Sequence, residues 1–326
     1  MASYKVAVAG STGYSGQELL KLLADHPHFE LGTRIGRDTN LENLSEDLFF
    51  LCTPNEVSID LAQKLAPLEK PIIDLSGAFR LESELYPKWY GFEHRASNLL
   101  PEAHYGLQQW QEDPNFSKHK IVANPGCYST AVLMTLLPLL KNSLIDSKNI
   151  YIDAKSGVSG AGKKPHPSLM FSEVFGDFRP YKVGQHQHWP EIVKYAREFA
   201  GAEISPIFIT ELLPVFRGIS ATHFLSWHAD VSESDKNSEI LCAAFAKEYS
   251  KNSGVIVSEE DDLLSLKKVC DSNRIHITVK CVDEKIVICT CIDNLQRGAA
   301  GQALMNANQL MGYAPETGLK NSRSEL

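Results

Sequence analysis

The chain has 326 residues, 43% hydrophobic and 22% charged, and a formal net charge of −8 at pH 7. That length predicts two domains rather than one core, and an acidic balance without any basic block argues against nucleic acid as a partner. The start MASYKVAVAGSTGYSG lacks the apolar core of a signal peptide, and no apolar run approaches a membrane span, so a cytoplasmic protein is expected. The seven cysteines (Cys52, Cys127, Cys242, Cys270, Cys281, Cys289 and Cys291) are irregularly spaced and include no CxxC. Neither a disulfide framework nor a metal site is expected, and a reducing compartment fits.

The elements follow in order. YKVAVAGSTGYSGQELLKLLADHP reads as a strand from Val6, a glycine-rich turn and an amphipathic helix on which Leu19, Leu20, Leu22 and Leu23 recur at helical spacing. DLFFLCTP and PIIDLSGAF read as strands with the helix EVSIDLAQKLAPL between them, and KIVANPG is a further strand leading into a helix at Cys127. Strands alternating with helices predict βαβ units and a parallel sheet. After about Asn149 the texture changes. NIYIDAKSGVS, SPIFITELLPV, ISATHFLSWHADV, RIHITVKCVD and KIVICTCIDNL are strand-like, interrupted by two long helices, WPEIVKYAREFA and EILCAAFAKEYSKN. That pattern predicts an α+β domain with a mainly antiparallel sheet. GAAGQALMNANQLMGY is a helix rich in small residues, and the tail ETGLKNSRSEL is polar and expected to fray.

Six features carry chemistry. Gly10, Gly13 and Gly16 form GxxGxxG in the first strand–helix turn, where close backbone approach and a helix N-terminus suit a pyrophosphate; a turn without ligand is the plain alternative. No acidic residue closes the second strand: Glu30 lies before or within it, and Arg34 and Arg37 follow. Basic residues there suit a 2′-phosphate, hence NADP, unless they are only solvated. Cys127 opens a helix, a position that favours thiolate, although most unbridged cysteines are small buried hydrophobes. In GQHQHWPEI, His186 and His188 precede a helix expected to start at Pro190; if the segment is extended, both point to one face. There they could pair with a thiolate and raise the imidazolium pKa, act as metal ligands without a clear third, or belong to a polar loop. The loop SGVSGAGKK (Ser156 to Lys164) offers amides and hydroxyls to phosphate but lacks Walker A order. Arg217, beside Gly218, could clamp a carboxylate or lie exposed on the surface.

The segments AGSTGYSGQELLKLL, DLSGAFRL, ANPGCYST, KSGVSGAGKK, HQHWPEI, LLPVFRGI and DNLQRGAAGQALMNANQLMG, in this order over nearly the whole chain, resemble the N-acetyl-gamma-glutamyl-phosphate reductase family of arginine biosynthesis. The related aspartate-semialdehyde dehydrogenases share the architecture but usually carry an arginine-containing helix motif in place of HxHxPE. The resemblance implies a Rossmann-type NADP domain over residues 1–126 and 298–326, and a catalytic and oligomerisation domain over 127–297. It implies NADPH-dependent reduction of N-acetylglutamyl phosphate to the 5-semialdehyde through a cysteine thioester, by a dimer or tetramer. Cys127 would be the nucleophile, His188 the acid/base with His186 second, and Glu191 the residue orienting the imidazole. The cofactor would meet Gly10, Ser11, Thr12, Gly13, Tyr14, Ser15, Gly16, Arg34, Arg37, Ser76, Ser159, Gly160, Ala161, Gly162 and Asn294. The substrate would meet Asn124, Ser156 and Arg217. One departure is a segment between Arg34 and Asp47 shorter than is usual in that family. The alternatives are an N-acetyl-aminoadipyl-phosphate reductase of lysine biosynthesis, a Cys–His hydrolase or acyltransferase without NADP, and a non-catalytic NADP sensor.

Overall fold

The computed structural model describes residues 3–110, 113–251, 254–261 and 264–319; the last part of the expected tail, 320–326, lies outside them. The chain forms two compact units, one from Met1–Gly126 with Gly298–Lys320 and one built on Cys127–Arg297.

The first unit runs β1 (Tyr4–Ala9), α1 (Tyr14–Ala24), β2 (Phe29–Ile35), β3 (Leu48–Leu51), α2 (Asn55–Leu65), β4 (Ile72–Asp74), α3 (Tyr86–Tyr90), β5 (Ala103–Tyr105) and β6 (Ile121–Ala123). Its six strands are all parallel, in the order β2-β1-β3-β4-β6-β5. Alternation along β1 and β3 explains why both faces are covered. Val6, Val8, Leu48 and Phe50 pack with Leu19, Leu22 and Leu23 of α1. Ala7, Ala9, Phe49 and Leu51 pack with Ile59, Ala62 and Leu65 of α2. A parallel strand buried on both sides has no polar face to show, hence the continuous apolar runs. The C-terminal helix Gly301–Leu310 joins the first of these layers through Ala303, Leu304 and Ala307. Its polar face is buried too: Gln302 Nε2 and Asn306 Nδ2 donate to the Gly106 carbonyl at 2.8 and 3.0 Å. The pattern of strands alternating with helices predicted this sheet, but not the three-residue β5.

The second unit runs α4 (Cys127–Lys141), β7 (Ile145–Gly157), α5 (Phe171–Val174), β8 (Arg179–Tyr181), α6 (His188–Ala200), β9 (Ile207–Leu213), β10 (Ile219–Trp227), α7 (Ser238–Tyr249), β11 (Val255–Ser258), α8 (Leu266–Val269), β12 (Ile275–Val282) and β13 (Lys285–Ile292). Its sheet is mixed and mainly antiparallel, in the order β11-β12-β13-β10-β7-β9-β8. Helix α4 is apolar all round and buried from Tyr128 to Leu140, as a helix enclosed on every side must be. It packs on β7, β10 and β13 and against α6 and α7. Among the described residues, no helix is long and apolar enough to cross a membrane.

Steric demand separates the three glycines of the first turn. Gly10 has φ +74°, and a Cβ there would stand 2.2 Å from the Cys52 carbonyl oxygen. A Cβ on Gly16 would stand 2.3 Å from the Gly10 oxygen, whereas one on Gly13 would make an ordinary 3.5 Å contact with it. Gly16→Ala is therefore expected to lower stability by about 1–3 kcal/mol through overpacking. Gly13→Ala should stay within about 1 kcal/mol of the wild type. Urea denaturation of the two variants checks this, and equal losses would contradict the packing argument.

Candidate active site and nucleotide cavity

In the first unit, α1 starts after Gly13, which has no side chain to cap it, and the first turn of α1 holds no acidic residue. A helix of 11 residues thus opens toward the turn without a negative charge of its own, the arrangement that suits an anion. Beside it lies a cavity of about 840 Å³, lined among others by Ala9, Gly10, Thr12, Arg37, Thr39, Asn40, Thr53, Val57, Leu61 and Lys64. It sits beyond the carboxyl ends of β1 and β3, where the strand order reverses and open α/β sheets bind ligands. A cavity of that size against Gly10 and Thr12 of the turn has the position and volume a dinucleotide needs.

The two arginines part company here. Arg34 does not follow the second strand as expected; it lies within β2, paired with Val8 and exposed, and it does not line the cavity. Arg37 follows β2 and does line it. Lys64, missed from the sequence, lines it as well. The signal was present: Val57, Leu61 and Lys64 fall at i, i+4 and i+7 on one face of α2.

In the second unit, Cys127 is the first residue of α4 and is half-buried. The next residue, Tyr128, brings the histidines to this point. Its ring meets that of His186 edge-on at 5.3 Å and that of His188 at 5.9 Å, and the two imidazoles lie 4.8 Å apart. Tyr181 closes the cluster. Its hydroxyl donates to the Tyr128 oxygen at 3.1 Å, and Tyr128 donates on to the Glu211 carbonyl at 3.5 Å. Burial pushes the Tyr181 phenol up to about 12, and the charge of a Cys127 thiolate pushes the same way. Burial raises Tyr128 further still, with the Tyr181 and Cys127 charges adding to it and Ser156 opposing through a hydrogen bond. Both phenols are therefore protonated at neutral pH and stand near the thiol as neutral donors. No short-range signal pointed to Tyr181, which arrives on a three-residue edge strand from more than 50 positions away.

The histidine segment differs from expectation. It is not extended: Gln187 is helical at φ −61° and ψ −17°, and α6 starts at His188 rather than Pro190. The reason is a cap. His186 Nδ1 accepts from the His188 N–H at 3.2 Å and the His186 carbonyl accepts from Trp189 N–H at 2.9 Å. Amides at a helix start need such acceptors. An accepting Nδ1 carries no proton, so His186 is the Nε2–H tautomer. Nor is its pKa raised. Burial, then the neighbouring His188 and Lys182, push it down to about 2, with Glu191 opposing. His186 is thus a neutral cap rather than one half of an ion pair. Glu191 is fully buried in the first turn of α6.

The chain from residue 127 to 294 matches the family model described as semialdehyde dehydrogenase, dimerisation domain, and residues 5–43 and 35–117 match the one described as semialdehyde dehydrogenase, NAD binding domain. Proteins named N-acetyl-gamma-glutamyl-phosphate reductase match over the full length. That of Halalkalibacterium halodurans is 38% identical over 98% of this chain and 99% of its own. That of Bacillus mycoides is 37% identical over 97% and 98%. The chain belongs to the N-acetyl-gamma-glutamyl-phosphate reductase family. Among solved structures, aspartate semialdehyde dehydrogenase II of Vibrio cholerae, complexed with ASA, shares the fold with a TM-score of 0.73 at 16% identity, over 95% of this chain and 98% of that one.

Several residues that the family resemblance assigns to ligands hold the protein together. Asn124 is fully buried; its Oδ1 accepts from Asn306 at 3.1 Å and its Nδ2 donates to the Ala299 carbonyl at 3.2 Å. Asn294 accepts from Gly218 N–H at 2.7 Å and donates to Ser159 Oγ at 3.0 Å. Ser76 donates to Asp74 at 2.7 Å and accepts from Ala78 N–H at 3.1 Å. In the loop after β7, the amides of Gly157, Val158 and Ser159 donate to the carbonyls of Gly218, Val215 and Phe216. These three amides are used within the unit, and the exposed stretch from Gly160 to Lys164 extends beyond them. Ser156 is buried below the loop, and its hydroxyl donates to the Gly157 carbonyl at 3.0 Å. Arg217 is neither exposed nor open on all sides: Nε stands 3.1 Å from buried Asp293, and Nη1 pairs with Asp271.

His186 generates a pH prediction. A group with pKa about 2 when folded and about 6.5 when unfolded binds its proton in the unfolded chain first, so stability falls as pH drops below about 6.5. Between pH 7 and pH 5 this one residue should remove about 2 kcal/mol. His186→Asn keeps an acceptor at the cap but removes the titration, so the stability gap between those pH values should shrink by about that amount. Urea midpoints at both pH values measure it, and an unchanged gap would refute the assignment.

Proposed function

We propose that the chain reduces N-acetylglutamyl 5-phosphate to N-acetylglutamate 5-semialdehyde and phosphate in arginine biosynthesis, using NADPH and a thioester on Cys127. The observation that carries the reading is the half-buried cysteine at the first residue of α4 beside two protonated phenols and a buried histidine pair, in a chain matched end to end by reductases of that name. The helix start favours thiolate over thiol. The thiolate attacks the acyl carbonyl carbon, the C–O bond to phosphate breaks, and the acyl group is held as a thioester, which divides one hard step into two. The second needs a hydride at the thioester carbon, which bound NADPH would supply; the C–S bond then breaks, which frees the aldehyde and returns the Cys127 thiolate. The Tyr181 and Tyr128 hydroxyls, chained to the Glu211 carbonyl, hold the wall beside the sulfur as neutral groups. His188, at the first position of α6, is the acid/base that supplies the proton the reduction consumes. His186 positions it by capping the same helix, and Glu191 fixes that first turn.

Gly10, Gly13 and Gly16 with the N-terminus of α1 would hold the pyrophosphate, and Arg37 with Lys64 the 2′-phosphate. Arg217, paired with Asp271 and Asp293, would bear on the substrate carboxylate, as the family resemblance implies. Self-association is supported by the strand face of the second unit. Ile207, Tyr151 and Phe224, 56%, 46% and 47% exposed, stand directly opposite one another on β9, β7 and β10. An apolar row of that kind marks a protein interface, and dimer or tetramer formation in the cytoplasm fits it.

Phosphate-dependent NADP reduction with N-acetylglutamate 5-semialdehyde tests the activity, and the aminoadipate homologue run beside it tests chain length. Cys127→Ser should abolish turnover and leave NADPH binding nearly intact, because a serine hydroxyl is too weak an acid to replace the thiolate. More than a small residual kcat would remove Cys127 from the nucleophile role.

Arg37→Ala and Lys64→Ala should each erode the preference for NADPH over NADH by about 10- to 150-fold, the value of a charge-assisted bond of about 1.5–3 kcal/mol. Arg34→Ala should leave it unchanged. Ratios of kcat/KM for the two cofactors measure this, and a preference that survives both cavity substitutions would contradict it.

A further inference from the structure

Outside the cavity of the first unit, three side chains converge at the edge of its sheet. His104 lies on the edge strand β5, paired with Val122 of β6; His119 lies two residues before β6; Asp113 lies on the connection between these strands. Asp113 Oδ2 is 2.5 Å from His119 Nε2 and 4.0 Å from His104 Nδ1. The two imidazoles stack with centroids 4.2 Å apart. One ligand atom from each residue falls within 4.8 Å of the others.

We propose that His104, Asp113 and His119 form a site for a divalent transition-metal ion of the zinc class. The donor set argues for that class: two imidazoles and one carboxylate suit zinc, nickel or copper rather than calcium or magnesium, which prefer oxygen. The spacing argues for it too. Donors about 2.0–2.2 Å from a tetrahedral ion stand roughly 3.3 Å from one another, a value that lies between the 2.5 and 4.0 Å found. The carboxylate is already oriented, because Asp113 Oδ1 accepts from Asn115 N–H at 2.7 Å, which leaves Oδ2 for the imidazoles. Phe116, buried in the core, forms the floor, edge-on to His104 at 5.3 Å and to His119 at 6.0 Å. Each of the three side chains is about a quarter exposed, so an ion can enter and water can fill a fourth position. Burial, with His119 adding to it, holds His104 at about 4, so its lone pair is available at neutral pH. Cysteine spacing carries no sign of this cluster, whose donors are two histidines and an aspartate.

Binding would displace the proton shared by Asp113 and His119 and tie β5 to the start of β6. The same connection holds Gln108, whose Nε2 donates to Asn306 and Gln309 of the C-terminal helix, so the ion would stiffen the packing of that helix in its own unit.

The test uses the full-length chain stripped with EDTA, titrated with zinc chloride in a calorimeter and followed by thermal unfolding. His119→Gln, Asp113→Asn and Cys127→Ser are run beside it. The expected result is binding that survives in Cys127→Ser, weakens more than about 100-fold in His119→Gln and Asp113→Asn, and raises Tm only where it is retained. Cobalt in place of zinc should show a nitrogen and oxygen ligand spectrum with no thiolate charge-transfer band. No zinc binding by the wild type, equal affinity in His119→Gln, or a thiolate band would each overturn the proposal.

Discussion

The hydrogen bond from the His188 amide to His186 Nδ1 governs the chemistry of the second unit. It starts α6 at His188, two residues before the proline, and thereby sets which way both imidazoles face. A ring that accepts at Nδ1 and is deprived of water stays neutral, so His186 is a structural acceptor, and the proton transfer proposed above falls to His188. Tyr128 then translates this into position. It follows Cys127 directly on α4 and packs edge-on against both rings, so a helix packing contact between α4 and α6 becomes the geometry of a reactive site.

The first unit depends on a constraint of a different kind, the space denied to side chains. Gly10 and Gly16 are required by backbone approach alone, whereas Gly13 has room for a methyl group. Gly13 caps the start of α1, the position where backbone approach to a phosphate has a use. Buried amides do the complementary work. Gln302, Asn306 and Gln108 give the C-terminal helix a polar contact inside the protein, each with a partner, which is what makes a polar face tolerable in a core.

Several motif residues have structural partners inside the protein. Asn124, Asn294 and Ser76 sit in motifs, and their side-chain groups satisfy neighbouring backbone and side-chain partners. Such bonds keep the loops of the motifs in place. A motif match by itself does not distinguish this structural use from contact with a ligand, since both need a short polar side chain at one position.

The parallel sheet, the mixed sheet and the helix opened by Cys127 were legible in the chain itself, because apolar periodicity and turn residues act over a few positions. So were Gly10, Gly13, Gly16 and the histidine pair as places of interest. What the sequence could not settle was decided by groups far apart along it. The neutrality of His186 comes from desolvation within a packed cluster, and Tyr181 joins Cys127 through an edge strand. Lys64, not Arg34, shares a cavity with Arg37, because strand pleating turns Arg34 outward and the helical repeat turns Lys64 in. Local pattern sets which residues can do chemistry; burial and long-range packing determine which of them are charged, which are held by neighbours and which face open space.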